Sequence, residues 1–373
     1  MSGIMLLSVG NSYGSKPENT SAPSVGGVIE VGSTLSAYVG TWIGTTPITY
    51  AYQWKNNNSN ISGATSSTYT LQVSDQGDQI SVAVTATNDL GSTTATSAQR
   101  GPVAANTGQQ QYTSPGTYSW IAPVGVSSIS VVAVGAGGSP NYVPLADNDT
   151  MAGGGGGALA YKNNYAVTAG NSYTVVVGAK GALYPASGAA QYGGNSRFES
   201  SVCEAMGGQT AGYYTNGTQA TVLYGDGGGS GGQGGQIKIY SQVSSGGGGA
   251  GGYSGAGGTG AEAYTGQNTG LSGSGGGGGG GASRDDLSRA GAGGGVGLLG
   301  EGSSGSGGAP NTGTLIGLRG GAGSGGSGGG ATGVGGNYGG GGGNRFGYGA
   351  NGAVRIIWPG NTRSFPSTNT GNL

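Results

Sequence analysis

The amino-acid sequence predicts an all-β protein, in which a small β-sandwich is followed by a β-rich domain that encloses a polyglycine II helix bundle. Three observations predict this fold class. Short segments in the first part of the chain alternate apolar and polar residues, as strands do. Glycine supplies 94 of 373 residues, about three times its usual share. Strand-like segments also stand before and after the glycine-rich tracts.

The overall composition excludes several classes of protein. Disordered chains combine low hydrophobicity with high net charge, whereas this chain has 21 tyrosines and a formal net charge of -1. Collagen needs glycine at every third position with abundant proline, but the 12 prolines are scattered and the glycines form irregular clusters. A nearly neutral chain offers no basic surface, so we expect no nucleic-acid partner.

The residue types that carry most enzyme chemistry are scarce. The chain has no histidine and one cysteine, so the sequence cannot supply a typical zinc site, a Ser-His-Asp triad or a Cys-His pair. Asp285 and Asp286 are adjacent, and a glycosidase pair would need a remote carboxylate as well. The remote candidates are Glu204, Glu262 and Glu301. We therefore expect a protein without enzymatic activity, without a cofactor and without a metal site.

Residues 1–22 precede the first clear strand pattern. Their apolar stretch is about seven residues long, which is too short for a membrane-spanning helix, and no basic residue precedes it as in a signal peptide. We interpret residues 1–22 as an N-terminal docking segment for other proteins. A frayed terminus is the equally good alternative.

Residues 23–100 carry the pattern of a β-sandwich. Tyr52 and Trp54 share one face of an alternating segment. Val82 and Val84 share one face of a later segment, and turn residues bound both. Short strands at regular spacing with a tryptophan on the third are typical of such sandwiches.

The same region resembles bacterial and phage immunoglobulin-like domains, with Asp75 and Gly77 at the D-x-G corner. It lacks the cysteine pair of antibody domains, so Trp54 is predicted to pack against aliphatic residues such as Leu35 and Val84. We interpret this immunoglobulin-like domain as a spacer, since a fold alone does not name a ligand. Carbohydrate or protein binding is the alternative.

Residues 101–111 are small and polar, and we predict a linker there. The domain that follows, 112–373, opens with strand-like residues from Tyr112 and closes with an apolar segment that reaches Trp358. A flexible glycine linker has no reason to be enclosed by the first and last strands of one domain. The glycine tracts are therefore predicted to belong to a folded unit.

Glycine tracts have no side chains to bury, so backbone hydrogen bonds must hold them. Ordering one glycine costs about 1–2 kcal/mol and one hydrogen bond contributes about 0.5–1.5 kcal/mol, which leaves a single tract disordered. Tracts that adopt the three-residue polyproline II helix can lie side by side and bond to several neighbours. Glycine is then required inside the bundle, and bulkier residues such as Gln233 and Tyr253 are predicted to face outward.

The region 112–358 looks like the glycine-rich domain of tailed-phage fibre proteins and the polyglycine-sandwich tip adhesins of T-even-type phages. The closing segment from Gly352 and the sandwich resemble virion appendage proteins of marine cyanophages. This resemblance implies that the bundle is a scaffold whose loops touch a host receptor. It also implies a location in the virion, as part of a phage tail or fibre made in the host cytoplasm, with the N-terminal segment bound to other tail or fibre proteins.

Helices that run up and down would place their connections alternately at the two ends of the bundle. We predict that one end contains residues 237–245, residues 283–289 and a turn near Tyr338. The other end is predicted to contain residues 209–226, 261–274 and 298–320. These three connections are longer and richer in tyrosine and leucine, so they are predicted to form the binding tip.

Tyrosine offers a large contact area, few rotatable bonds and a hydroxyl group, which suits recognition of a sugar or an outer-membrane protein. The predicted receptor-binding residues are Tyr213, Tyr214, Tyr224, Tyr264, Leu298, Leu299, Leu315 and Ile316. The alternative is that these side chains only cap the ends of the bundle.

These observations predict a non-enzymatic phage tail-fibre or adhesin component that binds a bacterial surface receptor, either a polysaccharide or an outer-membrane protein. A purely structural virion appendage, such as a head, neck or tail decoration or a fibre spacer, is the alternative from another class. A bacterial surface adhesin is a third hypothesis, which the missing secretion signal disfavours. Assembly into a homo-oligomer stays open.

Overall fold

The computed structural model shows an all-β protein, as the sequence predicts. It describes residues 14–145, 148–182, 192–212, 214–215, 217–238, 243–263, 269–280, 282, 290–309, 321, 326–330, 333–344 and 347–367. Regular secondary structure in these residues consists of strands and one short 3₁₀ turn, Val73–Asp75. The chain divides into two compact units, Met1–Asn106 and Thr107–Leu373.

The described part of the first unit contains nine strands: β1 Glu18–Ser21, β2 Ser24–Gly26, β3 Thr34–Tyr38, β4 Thr41–Ile43, β5 Thr49–Asn56, β6 Ser59–Asn60, β7 Thr68–Thr70, β8 Ile80–Asn88 and β9 Gly91–Thr96. One sheet has the order β2-β3-β7, and the other has the order β6-β5-β8-β9. Strands β1 and β4 pair separately. All these pairs are antiparallel, so the unit is a two-sheet β-sandwich.

The sandwich closes around Trp54, as the sequence predicts. Val82 and Val84 on β8 are buried in one cluster with the indole ring, and Leu35 on β3 joins them from the other sheet. The indole Nε1 donates a hydrogen bond of 2.9 Å to the carbonyl oxygen of Ser66. Aliphatic packing and one hydrogen bond therefore hold the tryptophan without a disulfide.

The predicted corner at Asp75 is a buried carboxylate that accepts three hydrogen bonds. Its donors are the Tyr69 hydroxyl at 2.8 Å, the Asn56 side-chain amide at 2.9 Å and the Gln72 backbone amide at 2.8 Å. Burial, followed by the hydrogen bond and the charge of Asp75, raises the pKa of the Tyr69 phenol. The carboxylate thus ties the 3₁₀ turn to β5 and β7.

The unit boundary differs from the sequence prediction on both sides of the sandwich. Strand β1 lies within the predicted docking segment 1–22, yet it pairs with β4 of the sandwich. Val103 lies within the predicted linker 101–111, yet it is buried in the sandwich core, and β10 begins at Gly108. Small polar residues can still pair as strands because the pairing uses backbone groups, which composition does not report.

The described part of the second unit contains twelve strands: β10 Gly108–Tyr112, β11 Gly116–Ile121, β12 Ser128–Val134, β13 Asn141–Leu145, β14 Asn148–Ala152, β15 Leu159–Ala166, β16 Ser172–Val177, β17 Ser196–Phe198, β18 Cys203–Ala205, β19 Val222–Tyr224, β20 Gly227–Gly229 and β21 Ala353–Trp358. One five-stranded sheet has the order β10-β21-β12-β15-β20, and another has the order β11-β16-β17-β18-β19. Strands β13 and β14 form a separate hairpin.

The first and last strands of the second unit are neighbours. Strand β21 lies between β10 and β12, so the two flanks of the glycine-rich region meet in one sheet. Trp120, Val131, Phe198 and Ile356 belong to an apolar core that joins this sheet to the other. The ring of Trp120 is 6.2 Å from that of Phe198 and 5.8 Å from that of Trp358. The glycine segments are therefore enclosed by folded strands.

Candidate functional site

The glycine segments of the second unit lie between two apolar clusters. One cluster contains Leu159 and Tyr253 and adjoins the strands. The other contains Ile237 and Ala263. The chain runs from the first cluster to the second between Gly229, which pairs with Leu159, and Ile237. We call the two positions the Tyr253 end and the Ile237 end.

The backbone amides of the segment 153–158 point to three different neighbours in turn. The first and fourth residues donate to segment 232–235, the second and fifth to 339–342, and the third and sixth to 206–209. The donor direction therefore repeats with a period of three residues. A β-strand repeats its direction every two residues, so this segment follows another geometry.

The segment 246–251 repeats the same arrangement with other neighbours. The first and fourth residues donate to segment 258–261, the second and fifth to 291–294, and the third and sixth to 154–157, with N···O distances of 2.8–3.1 Å. Neighbours run both parallel and antiparallel to it. Each of these two segments thus has three bonded neighbours, which gives a lattice of backbone hydrogen bonds instead of a sheet.

Glycine is required in these segments because the neighbouring backbones approach too closely for a Cβ atom. A Cβ atom on Gly156 would overlap the carbonyl oxygen of Gly249, and one on Gly249 would overlap that of Gly277. A Cβ atom on Gly277 would in turn overlap the carbonyl oxygen of Gly294. A backbone carbonyl cannot rotate aside as the end of a long side chain can, so a larger residue would have to displace a whole segment.

Two segments carry a larger residue at every third position. Ser230 and Gln233 are half-buried at this spacing, and so are Thr259 and Glu262. The residues between the members of each pair are glycines, apart from Ala261, and all are buried. Gln233 therefore lies at the edge of the lattice, as the sequence predicts.

The outward orientation predicted for Tyr253 is wrong. The side chain is 2% exposed and belongs to the apolar cluster beside the strands. Its hydroxyl donates a hydrogen bond to the Gly297 carbonyl at 3.2 Å and accepts one from the Gly300 amide at 3.3 Å. At this end of the lattice the strands supply apolar partners, so the ring gains more from burial than from exposure.

The predicted division of the connections between the two ends is also wrong. Ile237 and Ala263 form a parallel bridge, so the connections 237–245 and 261–274 begin at the same end. Tyr338 exchanges backbone hydrogen bonds of 2.9 and 3.1 Å with Val296 of the apolar cluster at the Tyr253 end. Tyr338 therefore lies at the Tyr253 end, whereas the prediction places it at the same end as residues 237–245.

A reversal inside the glycine sequence explains this error. The Gly252 amide donates a hydrogen bond of 2.8 Å to the Gly255 carbonyl, which closes a tight turn. The two central residues of the turn, Tyr253 and Ser254, stand inside a glycine-rich stretch that continues on both sides, so the sequence shows no clear break there. One missed reversal exchanges the ends of all later connections.

The structure separates two of the predicted receptor-binding tyrosines. Tyr214 is 55% exposed, and its backbone amide donates a hydrogen bond of 3.0 Å to the Ile237 carbonyl. Tyr224 is exposed on β19, two residues before Asp226. The backbone amide of Asp226 donates a hydrogen bond to the Tyr161 carbonyl, and Tyr161 packs against the apolar cluster at the Tyr253 end. Tyr214 therefore lies at the Ile237 end, and Tyr224 lies near the other.

The predicted apolar anchors also divide. Leu299 is exposed, whereas Leu298 is 4% exposed and belongs to the apolar cluster with Tyr253. Leu298 is thus a core residue, and its prediction as a surface anchor is wrong, because adjacent leucines do not reveal which one faces the core. The remaining predicted residues lie outside the described residues: Tyr213, Tyr264, Leu315 and Ile316.

The sequence did not predict the polar cluster beside Tyr214 at the Ile237 end. The Lys238 ammonium lies 2.6 Å from a carboxylate oxygen of Glu262, and the Gln236 amide donates a hydrogen bond of 2.8 Å to the other oxygen. Burial would raise the pKa of the Glu262 carboxyl, but these two hydrogen bonds and the lysine charge together lower it. The three-residue spacing of Thr259 and Glu262 is the signal that could have indicated a shared face.

Other groups considered for chemistry are placed away from that cluster. Glu204 accepts a hydrogen bond from Asn195 at 3.0 Å and lies 4.0 Å from Arg197. Cys203 is buried, and burial raises the pKa of its thiol. Among the described residues, no three histidine, cysteine, aspartate or glutamate side chains are grouped as metal ligands. The same part of the chain contains no helix of the length and apolarity needed to cross a bilayer.

Comparison with known proteins gives one result for the second unit. A family model described as a glycine-rich domain matches residues 112–359, which includes the strands and the lattice between them. No curated protein matches the chain.

Proposed function

The chain belongs to the glycine-rich domain family through residues 112–359, and from this premise we propose that it is a non-enzymatic attachment protein. In this proposal it is a tail-fibre or adhesin component of a phage virion that binds a bacterial surface receptor through loops at the Ile237 end. One observation carries the proposal: Tyr214, Ile237 and Ala263 meet at one end of a lattice of glycine segments. The resemblance of the sequence to phage fibre and adhesin proteins supports the assignment to a virion.

The glycine segments suit the role of a rigid scaffold. Their amides change direction with a period of three residues, as in a polyglycine II helix that bonds to several neighbours. We therefore propose that the interior is a polyglycine II bundle, held by backbone hydrogen bonds instead of an apolar core. The interior of the bundle contains few side chains, so the loops at the Ile237 end can change in sequence without altering the scaffold.

The Ile237 end offers suitable groups for recognition. Tyr214 presents an exposed aromatic ring and a hydroxyl group. Its backbone amide bonds to Ile237, the neighbour in sequence of Lys238, which forms the charged pair with Glu262. Tyr213 directly precedes Tyr214 in the sequence, and Tyr264 directly follows Ala263. Tyrosines are enriched among the residues that dominate the affinity of protein interfaces, so this end is the better candidate for the attachment surface.

Binding to bacterial cells tests the proposal. The purified full chain, fluorescently labelled, is screened by flow cytometry against a panel of strains, and affinities of variants are measured on a strain that binds. The Tyr214→Ala variant is expected to bind at least tenfold more weakly, because a central interface tyrosine contributes about 2 kcal/mol. Tyr224→Ala is the matched control, since Tyr224 is also exposed but lies near the other end, and its binding is expected to stay unchanged.

Two outcomes would contradict the proposal. Unchanged binding by the Tyr214→Ala variant would remove the Ile237 end as the attachment surface. A purely structural appendage would instead be favoured if exchange of residues 209–224 and 261–272 between related chains left the preference for bacterial strains unchanged.

A further inference from the structure

A cleft of about 350 Å³ opens beside Leu299 at the Tyr253 end, away from the proposed attachment surface. Ligand pockets in proteins span about 300–1,000 Å³, so this cleft has room for one small ligand. Six of its lining residues determine its chemistry: Gln111, Leu298, Leu299, Ser327, Asn337 and Tyr338.

The walls of the cleft are held in place by backbone hydrogen bonds. The Ser327 amide donates to the Asn337 carbonyl at 2.9 Å, and the Asn337 amide donates to the Ser327 hydroxyl at 2.7 Å. Tyr338 and Val296 exchange two further backbone bonds. Opposite them, Gln111 belongs to β10, which pairs with β21 along its whole length. The cleft is therefore formed before any ligand arrives.

The lining residues carry no charge. The Arg355 guanidinium is buried behind this wall, where it donates a hydrogen bond of 2.9 Å to the Leu298 carbonyl and another to the Gln109 side chain. It is absent from the lining of the cleft. The walls offer a charged ligand no ion-pair partner, whereas their neutral polar groups can bond to a neutral one, so the cleft favours a neutral ligand.

The polar groups of the cleft can both donate and accept hydrogen bonds. The side-chain amides of Gln111 and Asn337 each offer an N–H donor and a carbonyl acceptor, and none of the described residues forms a hydrogen bond with either. The Ser327 and Tyr338 hydroxyls add two groups of the same kind. A sugar carries hydroxyl groups with the same dual capacity around its ring.

The apolar part of the cleft suits the other face of such a ligand. Leu299 exposes its side chain at the rim, and Tyr338 is half-buried beside it. The C–H groups of a sugar ring form an apolar face that can pack against aliphatic and aromatic side chains. We infer that the cleft binds a neutral monosaccharide or one residue of a glycan, with the amides of Gln111 and Asn337 bonded to its hydroxyl groups. This site shares no residue with the attachment surface at the Ile237 end and does not depend on it.

Saturation-transfer difference NMR on the full chain tests this inference. The probes are glucose, galactose, mannose and N-acetylglucosamine, each added separately, and at least one is expected to bind with a millimolar dissociation constant. N-acetylneuraminic acid, which carries a carboxylate, is expected to give at least tenfold weaker binding. No saturation transfer to any of the four neutral sugars would overturn the inference, and equal binding of the acidic sugar would overturn its preference for neutral ligands.

Variants place the sugar in the cleft. Gln111→Leu keeps the size of the side chain and removes its hydrogen-bonding groups, and Asn337→Ala removes the second amide; each is expected to weaken binding at least fivefold. Gln110→Leu is the matched control, because Gln110 points to the opposite face of β10, and it is expected to change binding less than twofold. Unfolding midpoints equal to that of the wild type establish that each variant is folded. Unchanged binding by both cleft variants would overturn the assignment.

Discussion

The ring of Tyr253 stacks on the ring of Phe365, with centroids 5.6 Å apart and an interplanar angle of 17°. This contact joins the glycine lattice to the segment that follows the last strand. Tyr253→Ala is expected to lower the free energy of unfolding by about 3–5 kcal/mol, as for other large aromatic residues in cores. Tyr253→Phe keeps the stacking and is expected to cost about 1 kcal/mol, the value of its hydroxyl hydrogen bonds. Urea unfolding measures both, and equal effects of the two variants would contradict the role of the ring.

Two adjacent residues of one glycine segment are expected to differ strongly in their tolerance of alanine. In Gly232→Ala the new Cβ atom overlaps the Gly258 carbonyl oxygen, so we expect a loss of about 3 kcal/mol or more. Gln233→Ala is the control at the half-buried edge position, and we expect a change within about 0.5 kcal/mol. Thermal unfolding of the two variants measures the difference. A Gly232→Ala variant as stable as the control would show that the close contact is absent in solution.

Backbone amides in the lattice are expected to exchange slowly with solvent. Those of residues 246–251 are buried and bonded to three neighbouring segments, so exchange requires the lattice to open. Residues 302–304 are exposed and provide the comparison within the same chain. Hydrogen exchange followed by mass spectrometry is expected to show strong protection of the first segment. Exchange at the rate of an unstructured peptide would rule out the polyglycine II bundle.

The ion pair between Lys238 and Glu262 is expected to make stability depend on pH in the acid range. The pKa of the Glu262 carboxyl is lowered in the folded protein, so its contribution is complete above the unfolded value of about 4.3 and is lost as the pH falls through the folded value. Both side chains are about one-third exposed, so salt should reduce the effect. Glu262→Gln is expected to flatten this part of the curve of unfolding midpoint against pH. If the unfolding midpoint of the variant fell with decreasing pH in the same way as that of the wild type, the pH dependence would come from other carboxylates.

The Asp75 carboxylate is expected to be essential to the sandwich. Asp75→Asn replaces one acceptor oxygen by a donor that faces other donors, so we expect a loss of about 1–3 kcal/mol. Tyr69→Phe removes only one of the three donors and is expected to cost less. Urea unfolding of the full chain, followed by tryptophan fluorescence, compares the variants. A larger effect of Tyr69→Phe than of Asp75→Asn would show that the Tyr69 hydroxyl holds the corner by itself, and that the carboxylate is not the central group.

The sequence by itself determined the fold class and much of the sandwich. Alternation of Val82 and Val84 is a local signal with the period of a strand, and it places both residues in the core with Trp54. The bracketing strands likewise indicated that the glycine segments belong inside a folded unit. The need for glycine followed from the same physics, because a hydrogen-bonded lattice of close backbones leaves no room for Cβ atoms.

Only the tertiary structure decided which segments are neighbours and which residues reach the surface. Tyr253 and Leu298 are buried because they pack against the strands at one end of the lattice. Ile237 lies beside Ala263 because the turn at Gly252–Gly255, which the sequence does not reveal, reverses the chain between them. Side chains normally encode such choices through their differing shapes and polarities. Glycines are identical, so shifting one glycine segment along another changes little in the sequence pattern, and register is set by contacts distant in the chain.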